Sequence, residues 1–186
     1  LPSKNIDKLK DLIDDITFLN KVRLNIAVEH DDESFLKLKI KIRDKIVADG
    51  LKEFDYDLEK NGEHVDAEQF NSLLEDKNTI TVDMRNHYES EIGHFKGADL
   101  PDVDTFRESL PIINDKYKNQ KTKKNILMYC TGGIRCEKAS AYLIKNGYKN
   151  VYQLEGGIIE YARQIKKYNI ENKFIGKNFV FDNRRA

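Results

Sequence analysis

The chain has 186 residues, a formal net charge of zero and 39% hydrophobic side chains, a composition typical of a globular protein and not of a disordered one. No stretch approaches the roughly 18 apolar residues that span a bilayer, and no basic-then-apolar leader is visible, so we expect a cytoplasmic location and no membrane partner. Two cysteines make no disulfide framework, and their spacing to each other and to the four histidines predicts no metal site.

The charge is unevenly spread along the chain. Residues 1–79 carry 13 basic and 19 acidic side chains and residues 80–186 carry 19 and 13, so the two parts have net charges of −6 and +6. Five lysines and no acidic residue fall within KYKNQKTKK (116–124). Such a patch is either a solvated surface loop or a surface that follows a phosphate backbone.

The beginning of the chain follows a helix-strand-strand pattern. Apolar residues at helical spacing predict a helix over 3–16, capped by Ser3. Strict alternation predicts strands over 21–29 and 35–43, joined as an antiparallel pair. Because three elements are too few for a stable domain, we interpret residues 1–48 as part of a small α+β domain of the ferredoxin or acylphosphatase type.

After a predicted linker over 49–64, helices and strands alternate. The predicted helices cover 66–76, 86–95, 104–110, 136–146 and 158–168, and the predicted strands cover 78–84, 125–129 and 151–157. Repeated β-α-β connections favour a parallel sheet covered by helices on both faces. We therefore predict an α/β domain over 65–172, followed by a C-terminal extension over 173–186.

The motif CTGGIR (130–135) lies between a predicted strand and a predicted helix. Ligands of open α/β sheets bind at this end of the strands, where backbone N–H groups and the positive end of the helix dipole favour a thiolate and lower the pKa of Cys130. Gly132 and Gly133 allow the loop to curl, and Arg135 offers a fork of donors to an anion.

Together with Thr131 and Ile134, these residues predict a nucleophilic cysteine inside an anion-binding loop. Cys136, at the start of the helix, has two open interpretations. It is either a second redox thiol near Cys130 or a small residue on the helix face.

Three elements of the sequence resemble rhodanese domains, which hold a sulfur atom in such a loop. The CTGGIR loop is one residue shorter than the C-x5-R loop of protein tyrosine phosphatases and has the rhodanese length. ITVDMRNHYESEIGHFKGA (80–98) resembles the rhodanese strand-Asp-x-Arg segment with its G-H-x-x-G-A end. YQLEGGIIEY (152–161) resembles the closing L-x-G-G element, with Tyr161 at the aromatic position.

The resemblance implies roles for four further residues. Asp83 and Arg85 would form a structural network under the loop. Glu89 and His94 would serve packing and helix capping.

Two stretches, MYCTGGIRCEKASAYL (128–143) and DMRNHYESEIGHF (83–95), more specifically resemble the bacterial rhodanese-related tRNA uridine(34) hydroxylases. That family converts the wobble uridine to 5-hydroxyuridine with molecular oxygen. Its members have an N-terminal α+β domain, a rhodanese-like domain and an element like KNFVFDNR (177–184). The family begins some tens of residues earlier and ends in a cysteine-rich tail, so we expect this chain to be a fragment.

The resemblance implies a tRNA-modifying enzyme in which Cys130 acts on the wobble base. Molecular oxygen would be the co-substrate, and no iron-ligand set, flavin motif or dinucleotide fingerprint predicts a cofactor. The electron donor is not indicated. The candidate contacts to the tRNA anticodon arm are Lys121, Lys123, Lys124, Arg184 and Arg185.

Two other hypotheses stay open. Cys130 could carry a persulfide from an unidentified sulfur donor, as in a sulfurtransferase. Alternatively, the domain could be a non-catalytic rhodanese-like binding module, against which the intact Cys130 and its glycines argue.

Overall fold

A computed structural model of the chain describes residues 6–20, 42, 45 and 47–180. The chain divides into two compact units, residues 1–40 and residues 41–186. In the first unit, helix α1 (Ile6–Asp14) confirms the middle of the predicted first helix and precedes a 3₁₀ turn at Thr17–Leu19. The predicted strands over 21–29 and 35–43 lie outside the described residues apart from Ile42, so the α+β domain stays a prediction.

A four-stranded parallel sheet forms the centre of the second unit, which confirms the predicted α/β class. Its strands are β1 (Glu63–Val65), β2 (Thr79–Asp83), β4 (Asn125–Tyr129) and β5 (Asn150–Leu154), in the spatial order β1-β5-β4-β2. Because all neighbouring pairs are parallel, the carboxyl ends of the strands meet at one edge of the sheet. A separate antiparallel pair joins β3 (Gly93–Phe95) to β6 (Phe174–Gly176).

The described part of this unit also contains five α-helices: α2 (Ala67–Glu75), α3 (His87–Ile92), α4 (Phe106–Lys116), α5 (Ile134–Lys145) and α6 (Gly157–Tyr168). Asp66 caps α2 by accepting a hydrogen bond from the Gln69 backbone N–H, at 2.9 Å between Oδ1 and N. Within the described part of the chain, no helix is long and apolar enough to cross a bilayer.

The alternation of side chains along β4 divides the core into two apolar layers. Ile126 and Met128 belong to the cluster that contains α4 and α5 residues, and Leu127 and Tyr129 belong to the cluster that contains α2 and α6 residues. Both faces of the sheet are therefore covered. Cys130 continues the first of these alternating rows and belongs to the α4–α5 cluster.

The two ends of the segment predicted as a linker pack against the rest of this unit. Asp49 is buried and accepts a hydrogen bond from Lys45 Nζ at 3.0 Å, while Lys138 Nζ of α5 lies 3.8 Å from its other oxygen. Leu51 packs against the apolar cluster. The last two residues of the predicted linker belong to β1, which extends the parallel sheet beside β5.

Candidate active site

The CTGGIR loop begins where β4 ends, at the carboxyl edge of the sheet. β4 lies between β5 and β2 in the sheet, and the loop leads directly into α5, whose N-cap residue is Gly133. Gly133 adopts a φ of +90°, in the left-handed region that favours glycine. This glycine turns the chain back over the end of β4 and aims the first turn of α5 at the Cys130 sulfur.

Cys130 is 2% exposed and its sulfur faces hydrogen-bond donors. The Gly133 backbone N–H donates to Sγ at 3.2 Å. A hydrogen bond from the Cys136 thiol, the positive charge of Arg135 and backbone N–H groups of α5 outweigh burial and lower the pKa of Cys130 to about 6. The sulfur is therefore mostly a thiolate at neutral pH, as a nucleophile or a persulfide carrier requires.

The loop is held in place by the start of α6. The Ile158 backbone N–H donates to the Cys130 carbonyl at 3.0 Å, and the Ile159 N–H donates to the Thr131 carbonyl at 3.2 Å. These N–H groups belong to the first turn of α6 and have no partner within that helix. The loop carbonyls thus accept the hydrogen bonds of these N–H groups. The first turns of two helices, α5 and α6, therefore fix the conformation of the Cys130 loop.

Gly157 permits this close approach. A Cβ atom at Gly157 would lie 2.5 Å from the Cys130 carbonyl oxygen and 2.7 Å from the Thr131 carbonyl carbon, and the residue has a φ of +64°. Any larger side chain would push α6 away from the loop. The second glycine of the LEGG motif is therefore a structural part of the site.

Arg135 is paired with Glu89 of α3. Its NH1 and NH2 atoms lie 2.5 and 2.9 Å from the two carboxylate oxygens of Glu89, and NH2 also lies 3.2 Å from Thr131 Oγ1. Although burial disfavours the charge, this carboxylate and the Cys130 thiolate raise the pKa of Arg135. Two nitrogens of the donor fork are thus directed at a buried carboxylate, and the role of Arg135 toward an external anion stays a prediction.

Asp83 and Arg85 form a buried ion pair at the end of β2. Arg85 Nε and NH2 donate to the carboxylate oxygens of Asp83 at 2.9 and 2.7 Å, and NH2 also donates to the Gly93 carbonyl. The Met84 backbone N–H donates to the Tyr129 carbonyl at 2.9 Å, directly before Cys130. The ion pair therefore lies at the same end of the sheet as the loop, and its role as a network under the loop stays a prediction.

The remaining predicted loop residues differ in their surroundings. Gly132 has open space around its Cβ position, and Ile134 is 51% exposed at the first position of α5. Cys136 lies on the inner side of α5 and is fully buried. Gly132 and Ile134 are therefore on the outer side of the loop, while Cys130 and Cys136 share its inner side.

The three predicted tRNA contacts that the structure describes, Lys121, Lys123 and Lys124, do not lie at this end of the sheet. Lys121 and Lys124 precede β4, and their Nζ atoms donate to the carbonyls of Asn146 and Lys77 at 2.7 and 2.8 Å. Lys123 is exposed in the same segment. The five residues of β4 separate this segment from Cys130 by about 13 Å or more, and Arg184 and Arg185 lie outside the described residues.

Sequence reasoning assigned Glu89 only to packing and capping. Its carboxylate does accept a hydrogen bond from the Asn86 backbone N–H, at 3.1 Å, and His94 Nδ1 lies 2.9 Å from the Ser90 carbonyl oxygen. Glu89 also accepts a hydrogen bond from Thr131 and forms the ion pair with Arg135. The capping pattern was visible in the sequence, but the contact with the loop was not.

Comparison with known proteins identifies the domain. The family profile for the rhodanese-like domain matches residues 66–164. Two curated relatives, each named tRNA uridine(34) hydroxylase, are 51% identical over 99% of this chain (Photorhabdus laumondii) and 54% identical over 99% of it (Leptospira interrogans). This chain spans about half of these relatives, 52% and 50% of their lengths.

A solved structure of a rhodanese-like domain protein from Staphylococcus aureus also matches. It is 26% identical, with a TM-score of 0.42, over 53% of this chain and 90% of its own.

Proposed function

The chain belongs to the rhodanese-like domain family, and we propose that it carries the catalytic cysteine of an enzyme that hydroxylates uridine 34 of tRNA. One observation supports the proposal: a loop that surrounds the buried Cys130 sulfur with a backbone N–H donor occurs in a chain similar over nearly its whole length to curated tRNA uridine(34) hydroxylases. We further propose that the enzyme acts in the cytoplasm on the anticodon arm and that the product is 5-hydroxyuridine.

In the proposed reaction, the Cys130 thiolate adds to C6 of the uracil ring. The new S–C6 bond pushes the electron pair of the C5=C6 double bond onto C5 and the O4 carbonyl. C5 then forms a bond to one oxygen atom of O₂, loses its hydrogen as a proton, and the S–C6 bond breaks to restore the ring. The second oxygen atom leaves as water, with two electrons and two protons from a thiol reductant of the cell.

The loop residues support the addition step. The N–H groups and the Arg135 charge that stabilise the thiolate act on the same sulfur when it leaves C6, because the departing group is again a thiolate. The tight hold of α6 on the Cys130 and Thr131 carbonyls keeps the sulfur in one position. Such preorganisation lowers the cost of reaching the transition state.

A sulfurtransferase activity is the second candidate. The donation from the Gly133 N–H to the Cys130 sulfur would equally suit the terminal sulfur of a persulfide. In that reaction, the Cys130 thiolate attacks the outer sulfur of thiosulfate and sulfite leaves, and cyanide then takes that sulfur as thiocyanate. Rapid thiocyanate production by the full-length protein, lost in Cys130→Ser, would favour this candidate.

Analysis of tRNA nucleosides by mass spectrometry tests the proposed function. Deletion of the full-length gene should abolish 5-hydroxyuridine and its derivatives at position 34 and leave thiouridines unchanged, and a plasmid copy should restore them. Loss of thiouridines with 5-hydroxyuridine retained would overturn the proposal and support sulfur transfer.

Growth under heavy-isotope O₂ provides a second readout. We expect the heavy oxygen in the new hydroxyl group. Label that enters only from heavy water would contradict an oxygen-dependent reaction.

A further inference from the structure

An exposed aromatic side chain lies on the helix turn that contacts the reactive loop. Tyr88 of α3 is 37% exposed, although the next residue, Glu89, is fully buried. The Glu89 carboxylate accepts a hydrogen bond from Thr131 Oγ1 at 3.2 Å and pairs with Arg135. Because the Cα atoms of neighbouring residues are about 3.8 Å apart, Tyr88 belongs to the surface beside the Cys130 loop.

Contacts on several sides fix the orientation of the Tyr88 ring. Its hydroxyl oxygen accepts a hydrogen bond from Asn86 Nδ2 at 2.8 Å. The centroids of the His87 and Phe179 rings lie 5.7 and 5.6 Å from that of Tyr88, at interplanar angles of 82° and 73°. Such nearly perpendicular pairs are favourable aromatic contacts. The ring is thus held in place before a ligand arrives, which lowers the entropy cost of binding.

The core of the domain does not use this ring. Within the described part of the chain, Tyr88 belongs to neither apolar cluster, whereas Tyr129 is fully buried in one of them. Two exposed charges of opposite sign lie nearby: Glu91 is on α3, and Lys177 donates its backbone N–H to the Ile92 carbonyl at 3.1 Å. This surface therefore offers a nucleic acid an aromatic ring and not a local excess of positive charge.

The burial of Cys130 determines what a bound RNA has to do. The cysteine is 2% exposed, so a uracil ring must enter the loop to reach the sulfur. A base that enters such a site leaves the stack that it forms with its neighbours. The neighbouring base then loses a stacking partner, and aromatic side chains supply that partner in many complexes with single-stranded RNA. Tyr88 is placed beside the loop for this exchange.

We infer that Tyr88 is a substrate-binding residue, whose ring stacks on the nucleobase next to uridine 34 when the uridine enters the Cys130 site. The stacked base holds the RNA in the conformation that presents uridine 34 to the sulfur. The inference rests on the proposed function, because it takes the single-stranded anticodon loop as the substrate. It does not depend on the chemistry that follows at C5.

Binding of an anticodon stem-loop RNA to the full-length protein tests this inference. Tyr88→Ala should raise the Kd about 5-fold to 100-fold, since stacking on an aromatic side chain is lost. Tyr88→Leu fills space without an aromatic ring and should bind as weakly, while Tyr88→Phe should stay within about twofold of the wild type. The slope of log Kd against log salt should not change, because stacking releases no counterions.

Tyr168→Ala is the matched control. Tyr168 is 61% exposed and is the last residue of α6. Since α6 starts at the Cys130 loop, its length places Tyr168 roughly 16 Å from the loop along the helix axis. The control should bind the RNA with the wild-type Kd, and an equal loss in Tyr168→Ala and Tyr88→Ala would overturn the inference.

RNAs that lack the base at position 33 or 35, on either side of uridine 34, separate stacking from a general defect. With one of these two RNAs, the wild type and Tyr88→Ala should bind about equally, because the partner base is absent. A folding defect would instead weaken the binding of all three RNAs by the same factor. That result would overturn the inference, as would wild-type affinity of Tyr88→Ala and Tyr88→Leu for the intact RNA.

The wild-type protein distinguishes a failure of this inference from a failure of the proposed function. Binding of the intact RNA that does not depend on Tyr88 overturns only the role of Tyr88. If the wild-type protein does not bind the intact RNA, the proposed tRNA substrate is wrong and the inference falls with it.

Discussion

Glu89 is the residue that ties the reactive loop to the rest of the domain. Its fully buried carboxylate accepts hydrogen bonds from Thr131 Oγ1 at 3.2 Å and from the Asn86 N–H at 3.1 Å, and it forms a two-point ion pair with Arg135. A buried carboxylate is tolerated only when it is paired and hydrogen-bonded. This ion pair keeps the guanidinium group of Arg135 next to Cys130 and prevents the side chain from rotating into solvent.

Removal of either partner should destabilise the fold. We expect Glu89→Ala and Arg135→Ala each to lower the free energy of unfolding by about 3 kcal/mol, because each leaves a buried charge without its partner. The double variant should lose clearly less than the sum, with a coupling energy of about 1.5 kcal/mol or more. Urea unfolding of the four proteins measures this coupling.

The exposed pair of Asp115 and Lys118 provides the matched control, since their side chains are 78% and 59% exposed. Its coupling energy should stay below about 1 kcal/mol. Equal coupling energies for the two pairs would contradict the structural role given to Glu89.

At the level of single residues, the sequence predicted those features of the site that are formed by residues close together in the chain. Cys130 follows a strand, two glycines follow Cys130, and all of these lie within a few positions of one another. The partner of Arg135 lies 46 residues away on α3, and a single sequence contains no pattern that joins the two. Arg135 could therefore be identified as charged and close to the sulfur, but not as already paired.

At the level of secondary structure, the site depends on the junction between the Cys130 loop and α6. The first turn of α6 donates to the loop carbonyls, and Gly157 leaves no room for a side chain there. The loop therefore cannot change conformation unless α6 moves as well. This restriction keeps the cysteine sulfur at the N-terminus of α5.

Gly157→Ala should damage this junction. We expect a loss of unfolding free energy of about 2–4 kcal/mol, from the left-handed backbone and from overpacking, together with a higher midpoint for Cys130 ionisation. Chemical unfolding and thiolate absorbance measure the two effects. Gly97→Ala is the matched control, because Gly97 has a φ of +82° and nothing within 4 Å of its Cβ position.

The control should lose only about 1 kcal/mol and should leave the Cys130 midpoint unchanged. If both variants behave alike, the backbone conformation alone explains the loss and the close contact with the loop has no role.

Prediction from the sequence worked best for elements with a clear periodicity. β4 was predicted with its observed ends, and α2 and α6 within about one residue. β1, β3 and β6 have three residues each, too few to show a period. The helix predicted over 104–110 continues through Pro111 to Lys116, because Leu110 and Ile113 are buried on one face.

At the scale of the whole molecule, the basic segment 116–124 and the reactive cysteine lie at opposite ends of strand β4. The segment precedes the first residue of β4, and Cys130 follows its last residue. A tRNA whose wobble base reaches Cys130 would contact Lys121, Lys123 and Lys124 only through more distant backbone phosphates. Phosphate contacts affect binding and its salt dependence, whereas the chemical step depends on groups that touch the base.

We therefore expect Lys121→Ala/Lys123→Ala/Lys124→Ala in the full-length protein to weaken tRNA binding while leaving the single-turnover rate at saturating tRNA unchanged. The slope of log affinity against log salt should fall by about one for each lysine that contacts a phosphate. Binding measured at several salt concentrations gives the slope. A lower rate at saturation would show that this segment takes part in the chemical step.

The most direct test of the central claim, that Cys130 is the reactive residue, is a rescue experiment in cells that lack the full-length gene. The gene carrying Cys130→Ser should leave uridine 34 unmodified, and the gene carrying Asp115→Ala, a change at an exposed side chain outside the basic segment, should restore 5-hydroxyuridine fully at equal protein level. Mass spectrometry of tRNA nucleosides gives the readout. Restoration of 5-hydroxyuridine to the wild-type level by Cys130→Ser would contradict the claim.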